Sequence, residues 1–345
     1  MIRTLFLLCL LSKAAASTLT AAEPAKAFPL LAPRGRVVVV RDANAITNFN
    51  PNSAKVEGLV RRGLTNLTGQ PTAALAWRSL ISTQDIVGIK VYSAPGKTSG
   101  TRPAVVAGII QTLIEAGLPR DQIVIWDKHF SDLVLAGFFD LARRFEVGVA
   151  GSAEQGYDEN VSYDNSLLGK LVWGDFEFGK KGEGVGRRSF VSKLVSQRMT
   201  RIINVTPLLN HNLAGVSGNL FGLAMGSVDN ALRFETSSGQ LASAIPEIYA
   251  LEKLSDRVVL NIVDALICQY QGEERSLLHY STMLGQLRLS VDPVALDVLS
   301  IQELNHQREL AKIPSVTTNL EIYTNASLLD LGVSDLRKID VFGVP

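Results

Sequence analysis

The chain has 345 residues, of which 46% are hydrophobic and 19% charged, and its formal net charge is +1. These values are typical of a globular protein with a substantial core, built as one large α/β domain or as two closely joined domains. The nearly neutral balance, without a long run of one sign, argues against nucleic-acid binding driven by phosphate neutralisation and against a polybasic membrane-surface protein.

Residues 1–22 predict an export signal. An apolar run from Leu5 to Leu11 follows one early positive charge, and small residues then offer cleavage after Ala16 or Ala22. The run is too short to span a bilayer, and we expect no membrane span in the mature chain. We therefore expect an exported protein, periplasmic or extracellular, in which residues 23–345 form a single α/β domain.

Cysteine usage limits the cofactors. Cys9 leaves with the predicted signal, and Cys268 then has no cysteine partner. We expect neither an intramolecular disulfide nor an iron–sulfur cluster held by cysteines.

The predicted elements follow a strand–helix order along the chain. Apolar, β-branched runs predict strands at Arg36–Asp42, Asp85–Ser93, Gln122–Asp127, Thr200–Leu208, Asp256–Ile267 and Leu287–Ser290. Two helices are expected between Pro51 and Ser82, one at Thr101–Pro119 with Thr101 as N-cap, and one at Asp292–Lys312 with Asp292 as N-cap. The strand–helix–strand order predicts right-handed crossovers and an α/β fold, with a largely parallel sheet covered by helices on both faces.

Residues 151–192 differ from the rest in pattern. The stretch "LVWGDFEFGKKGEGVGRRSF" alternates like a β-hairpin around a glycine-rich basic tip. The tip lacks the Lys-Ser/Thr ending of a phosphate loop. We interpret the segment as a β-hairpin insertion on the sheet.

Polar side chains follow several predicted strands, where ligands bind in open parallel sheets. These residues are Lys90, Ser93, Asp127, Lys128, His129, Asn210, His211, Asn212 and Asp264. Strand ends also meet water and carry polar residues for that reason alone. In the functional interpretation, Lys90 and Arg233 hold an anionic group, and His211 transfers a proton with help from Asp264 or His129.

The segment 210–234 repeats glycine every three or four residues. If it is helical, His211 and the glycines share one face, with Asn230 and Arg233 further along. A glycine face admits either a ligand or a tightly packed helix. Polar residues at both ends favour binding, and the substrate-binding candidates are Arg233, Asn212, Asn219, Asn230 and Asp229.

A divalent metal is a further possibility. His129, His211 and Asp127, together with Asp264, form a workable ligand set. No short ligand spacing such as HExxH occurs, so the sequence leaves this choice open.

The order of these blocks, above all "IINVTPLLNHNLAGVSGNLFGLAMGSVDNALRF", resembles domain-of-unknown-function family three-sixty-two, from about Arg36 to about Arg308. The resemblance implies a fold more than an activity. Some relatives carry a ferredoxin-like cysteine module that this chain lacks, so again no iron–sulfur cluster is expected. Lys90, His211, Asp229, Asn230, Arg233, Asp264, Asp292 and Asp297 match the family pattern, whereas Asn219-Leu220 replaces a common Lys-Asn pair.

We expect an enzyme that acts on a small anionic molecule in a cleft at the carboxyl ends of the strands. The alternatives are a non-catalytic small-molecule or metal-binding protein of the periplasm, and a partner-binding protein that uses the glycine face. No nucleic-acid partner is expected.

Overall fold

A computed structural model describes residues 34–273, 275–314, 316 and 318–344. The predicted export signal lies outside the described residues. The strands are Arg36–Arg41 (β1), Ile46–Thr47 (β2), Asn50–Pro51 (β3), Val87–Val91 (β4), Ile123–Asp127 (β5), Gly148–Gly151 (β6), Tyr157–Asp164 (β7), Arg188–Ser192 (β8), Arg201–His211 (β9), Gly215–Val216 (β10), Val258–Gln269 (β11), Ser281–Ser290 (β12) and Asp340–Val344 (β13).

The helices complete the element list. They are Ser53–Thr68 (α1), Ala73–Leu80 (α2), Gly96–Ser99 (α3), Pro103–Glu115 (α4), Phe130–Leu135 (α5), Phe138–Phe145 (α6), Ser152–Gln155 (α7), Asn219–Ser227 (α8), Ser238–Tyr249 (α9), Glu252–Ser255 (α10), Pro293–Leu310 (α11) and Glu321–Leu328 (α12). Among the described residues, no helix is long and apolar enough to cross a membrane.

One nine-stranded sheet organises the fold. Its order is β13-β1-β12-β11-β9-β4-β5-β6, with β10 added to β9. Strands β11, β9, β4, β5 and β6 run parallel, and β12 lies antiparallel between β11 and β1. Strands β4 and β5 are buried along their whole length, as expected for parallel strands covered on both faces. The predicted largely parallel sheet is confirmed.

Helices cover both faces of this sheet, also as predicted. Side chains alternate along β5, so that Ile123 and Ile125 pack on one face and Val124 on the other. Helices α1, α2, α4 and α6 bury the first face, and α8, α9, α11 and α12 bury the second.

Two helix starts test the capping predictions. The Asp292 side chain accepts a hydrogen bond from the Ala295 amide at 2.8 Å, which confirms it as the N-cap of α11. Helix α4 begins at Pro103 after Arg102, so Thr101 is not its N-cap. The Thr101 hydroxyl instead donates to the Val205 carbonyl and thereby ties the start of this helix to β9.

The glycine-rich segment is helical only in its middle. Strand β9 continues through His211, Gly215 turns the chain with φ +87°, and helix α8 begins at Asn219. His211 and Gly215 therefore do not share a helical face with Gly222. The extended conformation continues through His211 because this end of β9 pairs with β10, where His211 lies opposite Gly215.

The insertion (residues 151–192) contains a β-hairpin, but its strands lie at its ends. Strands β7 and β8 pair antiparallel, with Tyr163 opposite Ser189. The alternating stretch between them forms turns instead of strands, and the Asp175 carboxylate accepts a hydrogen bond from the Val172 amide within one of these turns.

Candidate functional site

A cavity of about 260 Å³ lies at the carboxyl ends of β4 and β5. Helix α8 forms one wall through Gly222 and Gly226, and the insertion covers the cavity with Val172 and Trp173. The chain continues from β4 to β5 on one side, whereas the neighbour on the other side is β9. The strand order therefore reverses between β4 and β9, and the cavity lies beside this point, close to the usual ligand position in open α/β sheets.

A buried ion pair supports the cavity from below. Lys90 is 1% exposed, and its Nζ lies 2.7 Å from Asp127 Oδ1 and donates to the Val91 carbonyl at 2.7 Å. The Ser93 amide and hydroxyl both donate to Asp127 Oδ2, at 2.7 and 2.6 Å. This carboxylate therefore joins the ends of β4 and β5, and the Lys90 charge is already compensated.

The glycines of the α8 segment allow its backbone to approach these buried groups. A Cβ at Gly226 would lie 2.5 Å from Lys90 Cε and 2.8 Å from its Nζ, and a Cβ at Gly218 would collide with the Asp297 carboxylate. At Gly222 the nearest atom would be a Thr206 methyl carbon at 3.4 Å. Gly226 therefore allows close packing against the ion pair and Gly218 close packing against Asp297, whereas Gly222 has only ordinary contacts. The same helix lines the cavity through Gly222 and Gly226.

Lys128 follows β5 directly and lines the cavity with a part-buried side chain. Its backbone amide donates to Asp127 Oδ1 at 2.8 Å, which fixes the base of the side chain. Within the described part of the chain its ammonium makes no hydrogen bond or ion pair. Burial lowers the pKa of Lys128, although the nearby carboxylates of Glu235 and Asp175 act in the opposite direction.

Further titratable groups border the same cavity. Burial raises the pKa of Asp132, opposed by the nearby His129, and burial also raises the pKa of the Tyr157 hydroxyl. His129 and Lys170 also line the cavity, and both are exposed. The cavity therefore combines a desolvated amine with acids of raised pKa.

The insertion brings residues to the cavity that the sequence patterns did not single out. These residues are Tyr157, Lys170, Trp173 and Asp175. Two residues outside the insertion, Lys128 and Glu235, also line the cavity although neither was assigned a catalytic, binding or metal role from the sequence. Lys128 carried one usable signal, its position at a strand end. The insertion residues carried none, because their distance along the chain from β4 and β5 hides their proximity.

Three of the predicted substrate-binding residues hold the insertion in place. Asp229 accepts hydrogen bonds from the amides of Phe176 and Phe190, at 2.7 and 2.5 Å, and burial raises its pKa to about 6. The Asn230 side chain donates to the carbonyls of Gly186 and Arg188, and Asn230 also lines the cavity.

Arg233 acts on the same segment. Its guanidinium donates to the carbonyls of Leu167 and Gly186 and to the Ser189 hydroxyl at 3.0 Å. Burial lowers the pKa of Arg233. The guanidinium is therefore directed at the insertion backbone and is not among the residues that line the cavity.

His211 lies outside the cavity lining. Its Nδ1 accepts hydrogen bonds from the amides of Leu213 and Ala214, at 3.3 and 3.0 Å, so the ring stabilises its own turn. Burial lowers the pKa of His211, opposed by Glu273. The centroid of its ring lies 4.2 Å from the centroid of the Phe221 ring, and Phe221 lines the cavity.

Three other candidates also lie elsewhere. Asp264 is fully buried in an ion pair with Arg102 at 3.0 Å, and Asn219 donates to Asp297 at 2.9 Å. Asn212 is exposed on the turn after β9.

The structure thus places Asp127, His129 and Asn230 in the cavity lining, with Lys90 behind it as the partner of Asp127. His211 and Asp264 lie outside the lining. His211 is therefore separated from the other two metal candidates, Asp127 and His129. In the part of the chain that the structure describes, no three His, Cys, Asp or Glu side chains are placed to hold a metal ion.

Fold and site define a mixed, largely parallel α/β protein with a covered cavity at the carboxyl ends of its strands. The family profile described as Domain of unknown function (DUF362) matches residues 87–302, and the chain belongs to this family. Every residue so far placed at the cavity lies within the matched range.

Comparison with curated proteins gives no match. The chain is similar to a Thermotoga maritima protein whose crystal structure was determined by the Northeast Structural Genomics Consortium, with 10% identity and a TM-score of 0.42. The similarity covers 78% of this chain and 61% of the other, so the chain spans about three fifths of that protein's length. A likeness this distant carries no argument about function.

Proposed function

We propose that the protein is an exported enzyme that binds a small anionic molecule in the cavity and transfers a proton to or from it. One observation carries the proposal: Lys128 lines a covered cavity, and its ammonium makes no hydrogen bond or ion pair with the described residues. A desolvated cation without a partner is costly unless a ligand supplies the opposite charge.

The charges around the cavity support an anion. Lys128, Lys170 and His129 provide its basic side chains. The lining also contains four carboxyl groups, those of Asp127, Asp132, Asp175 and Glu235. Lys90 compensates the charge of Asp127, burial raises the pKa of Asp132, and Asp175 already accepts hydrogen bonds from two backbone amides. Lysine ammonium groups are common partners of carboxylate and phosphate oxygens.

The sequence predicted that Lys90 and Arg233 bind the anion. In this proposal Lys128 and Lys170 bind it instead. Lys90 is paired with Asp127, and Arg233 is bonded to the insertion. Neither has a donor directed into the cavity lining.

The pKa directions support proton transfer. An effective general base at neutral pH needs a pKa close to neutrality, and burial moves that of Lys128 downward. Burial moves the pKa of Asp132 upward in the same cavity. A lysine with a lowered pKa is suited to act as a base, and an aspartic acid with a raised pKa is suited to act as an acid.

A binding experiment tests the proposal. The full chain is titrated calorimetrically with inorganic phosphate, acetate, lactate and pyruvate, and Lys128→Met is compared with the exposed control Lys193→Met. We expect Lys128→Met to weaken binding at least about tenfold, equivalent to roughly 1.4 kcal/mol. Unchanged affinity for every anion in folded Lys128→Met would remove the proposal.

A non-catalytic binding protein is the second candidate. It is favoured by the Asp175 carboxylate, whose two oxygens already accept hydrogen bonds from the amides of Val172 and Asn230. Hydrogen exchange at carbon separates the two functions. An enzyme exchanges the C–H of a bound lactate or pyruvate with D2O in a Lys128-dependent manner by NMR, whereas a binding protein does not.

A further inference from the structure

We propose that the molecule held in the cavity is a small carbonyl compound, a 2-oxo acid or an aldehyde, which Lys128 binds covalently as an imine. This inference rests on the proposed function of the same cavity and names its substrate class.

The two lysines of the site differ in availability. Lys90 is 1% exposed, and its ammonium is held by Asp127 and by the Val91 carbonyl. Lys128 is anchored only through its backbone amide, and its ammonium has no such partner in the described chain. Imine formation needs an amine that can move towards a carbonyl carbon, and Lys128 meets this condition.

The walls of the cavity favour the neutral amine. Apolar side chains form a large part of the cavity lining that Lys128 shares, namely those of Ala153, Phe221, Met225 and Leu232. A lysine in such surroundings loses its proton more readily and becomes nucleophilic. The direction of the pKa shift of Lys128 agrees, even though the charges of Glu235, Asp175, Asp229 and Asp127 oppose it.

The reaction balances without an oxidant or reductant. The Lys128 nitrogen forms a bond to the carbonyl carbon, the carbonyl oxygen takes a proton, and the amine loses one to give a carbinolamine. A second proton on that hydroxyl lets it leave as water, while the nitrogen lone pair forms the C=N bond. Asp132 lines the same cavity, and its raised pKa suits it to carry these protons.

The rest of the cavity fits the product. The positive charge of the protonated imine lies near the carboxylates that already surround Lys128. The carboxylate of a 2-oxo acid would find Lys170 and His129 at the same cavity. An aldehyde lacks that group, so a 2-oxo acid should react at lower concentration.

Borohydride trapping tests the imine. The full chain is incubated with pyruvate, glyoxylate or acetaldehyde, sodium borohydride is added, and intact mass and peptide masses are measured. Borohydride reduces an imine to a stable secondary amine, so we expect one reduced pyruvyl group per chain, located on Lys128. Lys128→Arg should lose the label, and the exposed control Lys193→Arg should keep it.

The outcomes separate this inference from the proposed function. Label that is scattered over surface lysines, or unchanged in Lys128→Arg, overturns the imine. Lys128-dependent binding of pyruvate without trapping also overturns the imine and leaves the proposed function standing. Absence of any Lys128-dependent binding or label defeats both. The peptide map of the wild-type chain decides the attachment site even where the variant does not fold.

Discussion

Replacing Gly226 by alanine separates ordinary helix propensity from the packing described above. In an unconstrained helix the change should raise the free energy of unfolding by up to about 1 kcal/mol. Here the new Cβ would lie 2.5 Å from Lys90 Cε, whereas carbon atoms in contact are about 3.5–4.0 Å apart. The Lys90 side chain must therefore move by about 1 Å.

Such a movement breaks the 2.7 Å contact between Lys90 and Asp127, because hydrogen bonds of this type extend only to about 3.2 Å. Overpacking costs about 1–3 kcal/mol, and a buried charge without its partner costs about 3–5 kcal/mol. Partial relaxation and the propensity gain reduce these costs. We expect Gly226→Ala to lower the free energy of unfolding by about 2 kcal/mol.

Urea unfolding followed by circular dichroism measures this difference. Gly58→Ala in α1 is the matched control, since its nearest new contact is an Arg62 nitrogen at an ordinary 3.7 Å. The control should be stabilised by up to about 1 kcal/mol. If Gly226→Ala were as stable as the control, the close approach of α8 to Lys90 would be refuted.

Three further predictions concern the groups around the site. Burial raises the pKa of Asp297 to about 7, so the folded state binds this proton more tightly than the unfolded state and the free energy of unfolding falls as pH rises from about 4 to 7. Asp297→Asn should remove up to about 3 kcal/mol of this dependence between about pH 5 and pH 8 in urea titrations, and a curve parallel to wild type would contradict it. Burial lowers the pKa of His211, so the free energy of unfolding of the wild type should fall as pH falls below about 6.5. The free energy of unfolding of His211→Gln should fall less, and an equal fall in both proteins would contradict the lowered pKa of His211. Arg233→Met should speed trypsin cleavage within residues 165–187 by about tenfold, because its bonds to the insertion are lost, whereas the exposed control Arg337→Met should leave the rate unchanged.

Local sequence patterns predicted the elements that support the cavity. The apolar runs of β4 and β5 are long enough to read as buried strands, and Asp127 stands at the end of the second. Because parallel strands end at one edge, the meeting of Lys90 and Asp127 could be expected from their positions in those runs.

The direction of each strand-end side chain could not be predicted in this way. His211 and Lys128 both follow buried strands, yet the turn after β9 bonds the His211 ring to its own backbone, whereas the Lys128 side chain lines the cavity. The difference depends on a two-residue strand and a glycine turn that leave no clear pattern in the sequence.

The amino-acid order by itself determined most of the buried strands of the large sheet, the parallel connections between them and the edge at which a site should form, because these depend on hydrophobic periodicity over neighbouring residues. Only the tertiary structure decided which polar groups face the cavity. Asp229 reaches Phe176 across 53 positions of the chain, and Ser93 reaches Asp127 across 34. Such long-range hydrogen bonds form only once the core has packed, since burial is what makes an unpaired polar group costly.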